Sequence, residues 1–170
     1  MKILAFTALI FSVVLVDAQA SLAELDSANY FDFWEGTWQG TWSEGQDVGE
    51  ATNLIEWTTG GKVLRENFVV TKGQNAGFVG TSISVYNPNT RVWHQAWADN
   101  QGSYFDFVGE FDENKRVFST KPQQVNGLIV VSRMVFHTIT EDTFTWDWER
   151  SIDGGETWRL SWQINYTRID

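Results

Sequence analysis

A two-residue alternation runs through this chain and constrains its fold more than any other feature. Phe144, Trp146 and Trp148 fall on one face of a segment, with Thr143, Thr145, Asp147 and Glu149 on the other. Near the C-terminus Trp158, Leu160, Trp162, Ile164 and Tyr166 alternate with Arg159, Ser161, Gln163, Asn165 and Thr167. Phe105 and Phe107 alternate with Tyr104, Asp106 and Val108. A period of two sets one side of a strand on a core and the other in water. The segments are rich in Val, Ile, Thr, Phe and Trp, which suit a pleated surface. Turn signals separate them, mostly at a spacing of roughly 10–15 residues. They are Gly45-Gln46-Asp47, Gly60-Gly61, Gly73-Gln74-Asn75, Asn87-Pro88-Asn89, Asp99 to Gly102, Asp112-Glu113-Asn114, Val125-Asn126-Gly127, Glu141-Asp142 and Asp153-Gly154-Gly155. Nine turns predict about ten antiparallel strands in series. Only Ala23 to Phe33 suggests helix, for one or two turns. A sandwich and an up-and-down barrel both satisfy this pattern, and the barrel removes both exposed edges. The expected fold is therefore all-β: an antiparallel up-and-down barrel of about ten strands behind a short N-terminal helical turn.

Composition narrows the function classes. The chain has 170 residues and no Cys, so it reads as one domain without disulfides, thiolate metal sites or thiol chemistry. Its net charge of -10 makes nucleic acid and anionic membranes poor partners. Residues 1–20 read as a secretory signal: Lys2, an apolar run from Ile3 to Val16, then Ala18-Gln19-Ala20 before Ser21. The run is too short to span a bilayer comfortably. The expected mature domain is 21–170, in the periplasm or outside the cell, with no membrane contact after cleavage.

Two motifs stand out. Gly36-Thr37-Trp38 opens the first strand: Gly allows a tight entry and the indole can plug a barrel end. Ser151-Ile152-Asp153-Gly154-Gly155-Glu156-Thr157-Trp158 matches the Asp-box pattern Ser-x-Asp-x-Gly-x-Thr-Trp. Its Asp is expected to accept hydrogen bonds across a hairpin while Gly155 takes a positive φ. In sialidases that box is structural and recurs with each propeller blade; a single copy here reads as one structural hairpin.

Phe31-Asp32-Phe33-Trp34-Glu35-Gly36-Thr37-Trp38 resembles the N-terminal signature of a family of secreted bacterial proteins of unknown function with a lipocalin-like fold. The stretch from Trp93 to Gly102 with Phe107 and Gly109 is similar to that family too, as is the end from Glu149 to Trp158 with Tyr166 and Arg168. The resemblance implies a lipocalin-like (calycin) barrel and no established activity. Gly36-x-Trp38-x-Gly40 also resembles the opening of haem-binding nitrobindin-like barrels. Those use an axial His near the C-terminus, whereas no His follows His137 here, so no haem is expected.

The aromatic supply, ten Trp and twelve Phe, points to a ligand cavity. Trp93, Trp97, Phe105, Phe107, Trp146, Trp148, Trp162 and Tyr166 lie on expected inward faces and are the candidate wall. Arg133, between Val131 and Val135 on its face, is the candidate anchor for a ligand carboxylate. The partner expected is a small apolar or amphipathic molecule, in a hollow of ~300 Å³ or more. No cofactor is expected, and two His are too few for a three-His metal site. An isomerase, cyclase or hydrolase in the same barrel is the alternative, with His94, Arg65, Glu66 or Arg133 as acid–base or anchoring groups. Carbohydrate binding by a planar row of exposed Trp is a third reading. Asp147 and Glu149 are expected to face water rather than form a glycosidase pair.

Overall fold

A computed structural model describes residues 27–112 and 115–169. The signal expected over residues 1–20, the start of the helical run at Ala23 and the turn residues Glu113-Asn114 lie outside the described residues. A short 3-10 turn, Asp32–Trp34, leads into the strands. The strands are β1 (Gly36–Glu44), β2 (Asp47–Thr58), β3 (Val63–Lys72), β4 (Val79–Asn87), β5 (Val92–Asp99) and β6 (Tyr104–Asp112). They continue as β7 (Lys115–Thr120), β8 (Gln123–Val125), β9 (Leu128–His137), β10 (Thr143–Ser151) and β11 (Arg159–Arg168).

Ten of these close a barrel. Neighbours in sequence pair antiparallel from β1 to β7, β7 then pairs β9, and β9 pairs β10. β11 returns to β1, with Trp38 opposite Arg168 and Gly40 opposite Tyr166. No strand of the ring keeps an open edge, which is the reason a serial strand pattern favours closure. β8 is the eleventh strand. It pairs only with the start of β9, as a hairpin with Val125 opposite Leu128. Lys121-Pro122 ends β7, and this break carries no Gly- or Asn-rich turn signal.

The first strand shows how the sequence sets the wall. In β1, Trp38 and Trp42 are buried and alternate with half-exposed or exposed neighbours. Gly40, between them, leaves no space for a side chain: an added Cβ would stand 2.9 Å from both Ile164 and Tyr166. Gly80 does the same for Trp97, whose ring would lie 2.0 Å from an added Cβ. Large rings therefore lie flat over glycines on the inner wall.

The alternation expected for the last strand holds only in part. Trp162, Ile164 and Tyr166 point inward, but Leu160 is 49% exposed. Trp148 pairs with Trp162 while the next residue, Glu149, pairs with Leu160, so a bulge slips the register by one. Such a slip moves every later side chain to the other face. Trp158 lies on the outer side in consequence, under the Arg133 guanidinium at 3.8 Å.

One end of the barrel is shut. Phe31 is fully buried, stacks on Phe118 at 4.3 Å and meets Trp93 edge-on at 5.2 Å. Trp34 closes on Phe136, and its carbonyl accepts a 2.9 Å hydrogen bond from the Trp38 indole. Arg168 lies 4.1 Å above Trp38 and donates to the carbonyls of Glu35, Phe33 and Glu141. That one guanidinium ties the last strand, the 3-10 turn and the β9–β10 turn together.

Candidate functional site

Above this plug the barrel encloses a cavity of about 170 Å³. Trp34 and Phe136 form its floor, Phe78 reaches it from the β3–β4 turn and Asp99 from the end of β5. Its wall is aromatic. Trp146 and Trp148 lie parallel at 6.4 Å, Trp162 meets Trp146 edge-on at 5.7 Å, and Phe78 stacks on Trp97 at 6.4 Å. These rings are half-buried, as befits side chains that border an opening.

A polar group sits inside this wall. Glu66 of β3 points inward and is only 6% exposed. Its carboxylate accepts from Asn53 Nδ2 at 2.8 Å and from Ser82 Oγ at 2.6 Å. Burial pushes its carboxyl up to about 7, against the opposing pull of those two bonds. Tyr166 of β11 lies in the same wall; burial, with the Glu66 charge adding to it, drives its phenol well above the ordinary value. Next to this group Gln95 donates to Ser84 at 2.9 Å.

Among the described residues, three buried polar atoms lack a protein partner: Asn53 Oδ1, Trp34 Nε1 and Gln95 Oε1. Two of their owners, Asn53 and Trp34, line the cavity. The orientation of the Asn53 amide follows from Glu66, since a flipped amide would set its oxygen against the carboxylate. At the rim, partial burial of Asp99 is outweighed by bonds from the Ser103 amide, the Trp97 indole and the Gln101 amide, which hold its carboxyl below the ordinary value. Among the described residues no Lys, Arg or His lines the cavity, and no cluster of His, Asp or Glu has metal-binding geometry.

Seven of the nine residues expected at the site line this cavity: Trp97, Phe105, Phe107, Trp146, Trp148, Trp162 and Tyr166. Trp93 points inward but is buried in the plug, against Phe31 and over Gly109. Its indole donates to the Ser27 carbonyl at 2.7 Å. Arg133 faces the outer side, beside Trp158, where its Nε bonds Glu149 at 2.6 Å. β-Strand parity decides this: Met134 takes the inward position. The cavity is also smaller than the ~300 Å³ expected of a drug-sized pocket, because Trp34, Phe136 and the paired indoles fill much of the bore.

Of the acid–base candidates, only Glu66 points inward. His94 is exposed on the outer face, opposite Trp93, Gln95 and Trp97. Arg65 pairs with Glu56 in solvent at 2.6 Å. His137 bonds Asp147 at 3.0 Å, also outside, and Asp147 and Glu149 are thereby engaged away from the cavity. Asn53 and Ser82 carried no sequence signal. They are short polar residues in ordinary strands, and the register of the β2–β3–β4 meander brings them to Glu66, with Ser82 directly opposite it and Asn53 on the diagonal.

No protein-family model matches the chain, and no curated protein matches it. The site therefore speaks through its own chemistry: a closed antiparallel barrel with an aromatic-rich interior and one buried carboxyl.

Proposed function

We propose that this barrel is an exported binding protein for a small amphipathic molecule, held in the aromatic cavity. The observation that carries the reading is the contrast within one wall. Indole and phenyl faces supply apolar contact, while Glu66 and Asn53 supply the few polar atoms that orient a ligand. A dry cavity of roughly 150 Å³ suffices for benzene, so about 170 Å³ suits a ligand built on one ring with a short tail. A lipocalin-like architecture fits this use, with one end plugged and the other bordered by loops. Saturable quenching of Trp fluorescence by single-ring compounds is the expected result. Quenching that rises linearly without saturation, together with no ligand retained in native mass spectra, overturns the reading. Export is tested separately by N-terminal sequencing of the secreted form: a start at Ser21 supports it and an intact Met1 refutes it.

A second reading is favoured by one feature, the placement of Glu66 and Tyr166 in the same wall. A buried carboxyl poised near neutrality can move a proton on a bound apolar substrate. Solvent deuterium entering a bound ketone, and failing to enter with Glu66→Gln, supports that reading; no exchange with either protein rejects it. Carbohydrate stacking lacks its platform, since all ten Trp are buried or half-buried.

A further inference from the structure

The polar atoms of the cavity differ in kind as well as number. Glu66 is a carboxylate almost wholly removed from water, held by two neutral donors and no cation. Beside it Asn53, 1% exposed, keeps Oδ1 unpartnered. A second carboxylate, Asp99, stands at the rim. Of the unpartnered lining atoms one is an acceptor, Asn53 Oδ1, and one a donor, Trp34 Nε1, but among the described residues the negative charge is not balanced by any lining Lys, Arg or His. The remaining wall is the π-faces of Trp and Phe, which attract cations through the ring quadrupole.

A lone buried carboxylate is costly, and an unpaired buried acceptor adds to that cost. An ammonium group answers both. It carries the missing positive charge, and its three N–H donors match Glu66 and Asn53 Oδ1. The space beyond, near Trp97, Trp148 and Trp162, takes a flat ring. A ligand carboxylate, by contrast, would meet Glu66 with like charge. The outward turn of Arg133 leaves the lining without a basic anchor for one.

Taking the binding reading above as its premise, we propose that the ligand is a protonated arylalkylamine, with its ammonium at Glu66 and Asn53 Oδ1 and its ring among the indoles. The test uses three probes of nearly one shape at pH 8: 2-phenylethylamine, propylbenzene and 3-phenylpropanoate. Binding is read by Trp quenching and by calorimetry on the exported full-length domain. 2-Phenylethylamine is expected to bind at least about tenfold more tightly than propylbenzene, and 3-phenylpropanoate not to bind. Glu66→Gln and, independently, Asn53→Leu are expected to remove that preference, so that 2-phenylethylamine and propylbenzene bind each variant within about twofold of one another. Equal or tighter binding of propylbenzene to the unmodified protein overturns the amine assignment and leaves apolar binding standing. Preference for the carboxylate overturns it as well. Failure of all three probes overturns the binding reading itself. The unmodified protein ranks the probes by itself, so the outcome stands even if a variant fails to fold.

Discussion

The two ends of this barrel use the same residue type for opposite purposes. At the plugged end Trp38 is fully buried, hydrogen-bonded through its indole and covered by Arg168. At the open end Trp97, Trp146, Trp148 and Trp162 are half-buried and border a hollow. Buried area alone does not separate structural from binding aromatics. What separates them is whether the ring's polar atom and both faces are satisfied by the protein. Trp38 has all its partners. The mouth indoles touch one another and Phe78 but are only half-buried, so the part of their surface that borders the hollow is left for a ligand.

The strongest way to break this contrast is to truncate one ring from each end. Trp38→Ala removes a fully buried indole, its bond to the Trp34 carbonyl and the seat of Arg168. A loss of about 3–5 kcal/mol is expected in urea unfolding. Trp148→Ala opens an existing hollow and is expected to cost about 1–2 kcal/mol, while weakening single-ring ligands measurably. Equal stability losses at the two positions would show that the ends do not differ in this way.

Glu66 supplies the next effect. Its carboxyl is raised from 4.5 to about 7, so the folded state holds a proton across that window that the unfolded state has released. Stability then falls as the pH rises from about 4.5 to about 7, by an amount on the order of 3 kcal/mol. Above that window the slope vanishes. Gln at this position can keep both partner bonds once the Ser82 hydroxyl turns to accept, so Glu66→Gln is expected to flatten the curve of melting temperature between pH 4 and pH 8. An unchanged slope would assign the effect to another group.

Much of the fold was legible because strand parity and turn chemistry are local. The alternation in Thr143–Glu149 and the Gly- and Asn-rich turns predict serial strands, and closure follows from edge avoidance. The Gly36-Thr37-Trp38 motif added an indole that plugs one end. Three things were not legible, each for a physical reason. The bulge at Trp148 and Glu149 inverts the phase of Leu160 and Trp158 without a Gly to announce it. Arg133 stands among valines and so looks inward-facing by period, yet its neighbours Val131 and Val135 are buried on the outer side. The Asn53–Glu66–Ser82 group draws on three strands, and no linear pattern encodes it.

The smallest effect belongs to the mouth hairpin. Asp153 accepts from the Ser151 hydroxyl at 2.6 Å, from the Thr157 amide at 3.0 Å and from the Thr157 hydroxyl, as the Asp-box pattern requires. Gly155 adopts φ 101°, and Gly154 donates to the Ile129 carbonyl at 2.9 Å, fastening the hairpin to the start of β9. The Ser151 and Thr157 bonds hold the Asp153 carboxyl well below the ordinary carboxylate range. A depressed acid contributes stability above its unfolded value, and that contribution drains away as pH falls toward the folded one. Asp153→Ala is therefore expected to lower the melting temperature slightly at pH 7 and by less in strong acid. Faster amide exchange should be confined to the hairpins at residues 123–131 and 151–158, with the Trp38 plug unchanged. If exchange instead accelerates around Trp38, the two ends unfold as one unit, and the stability of the plug is not independent of the mouth.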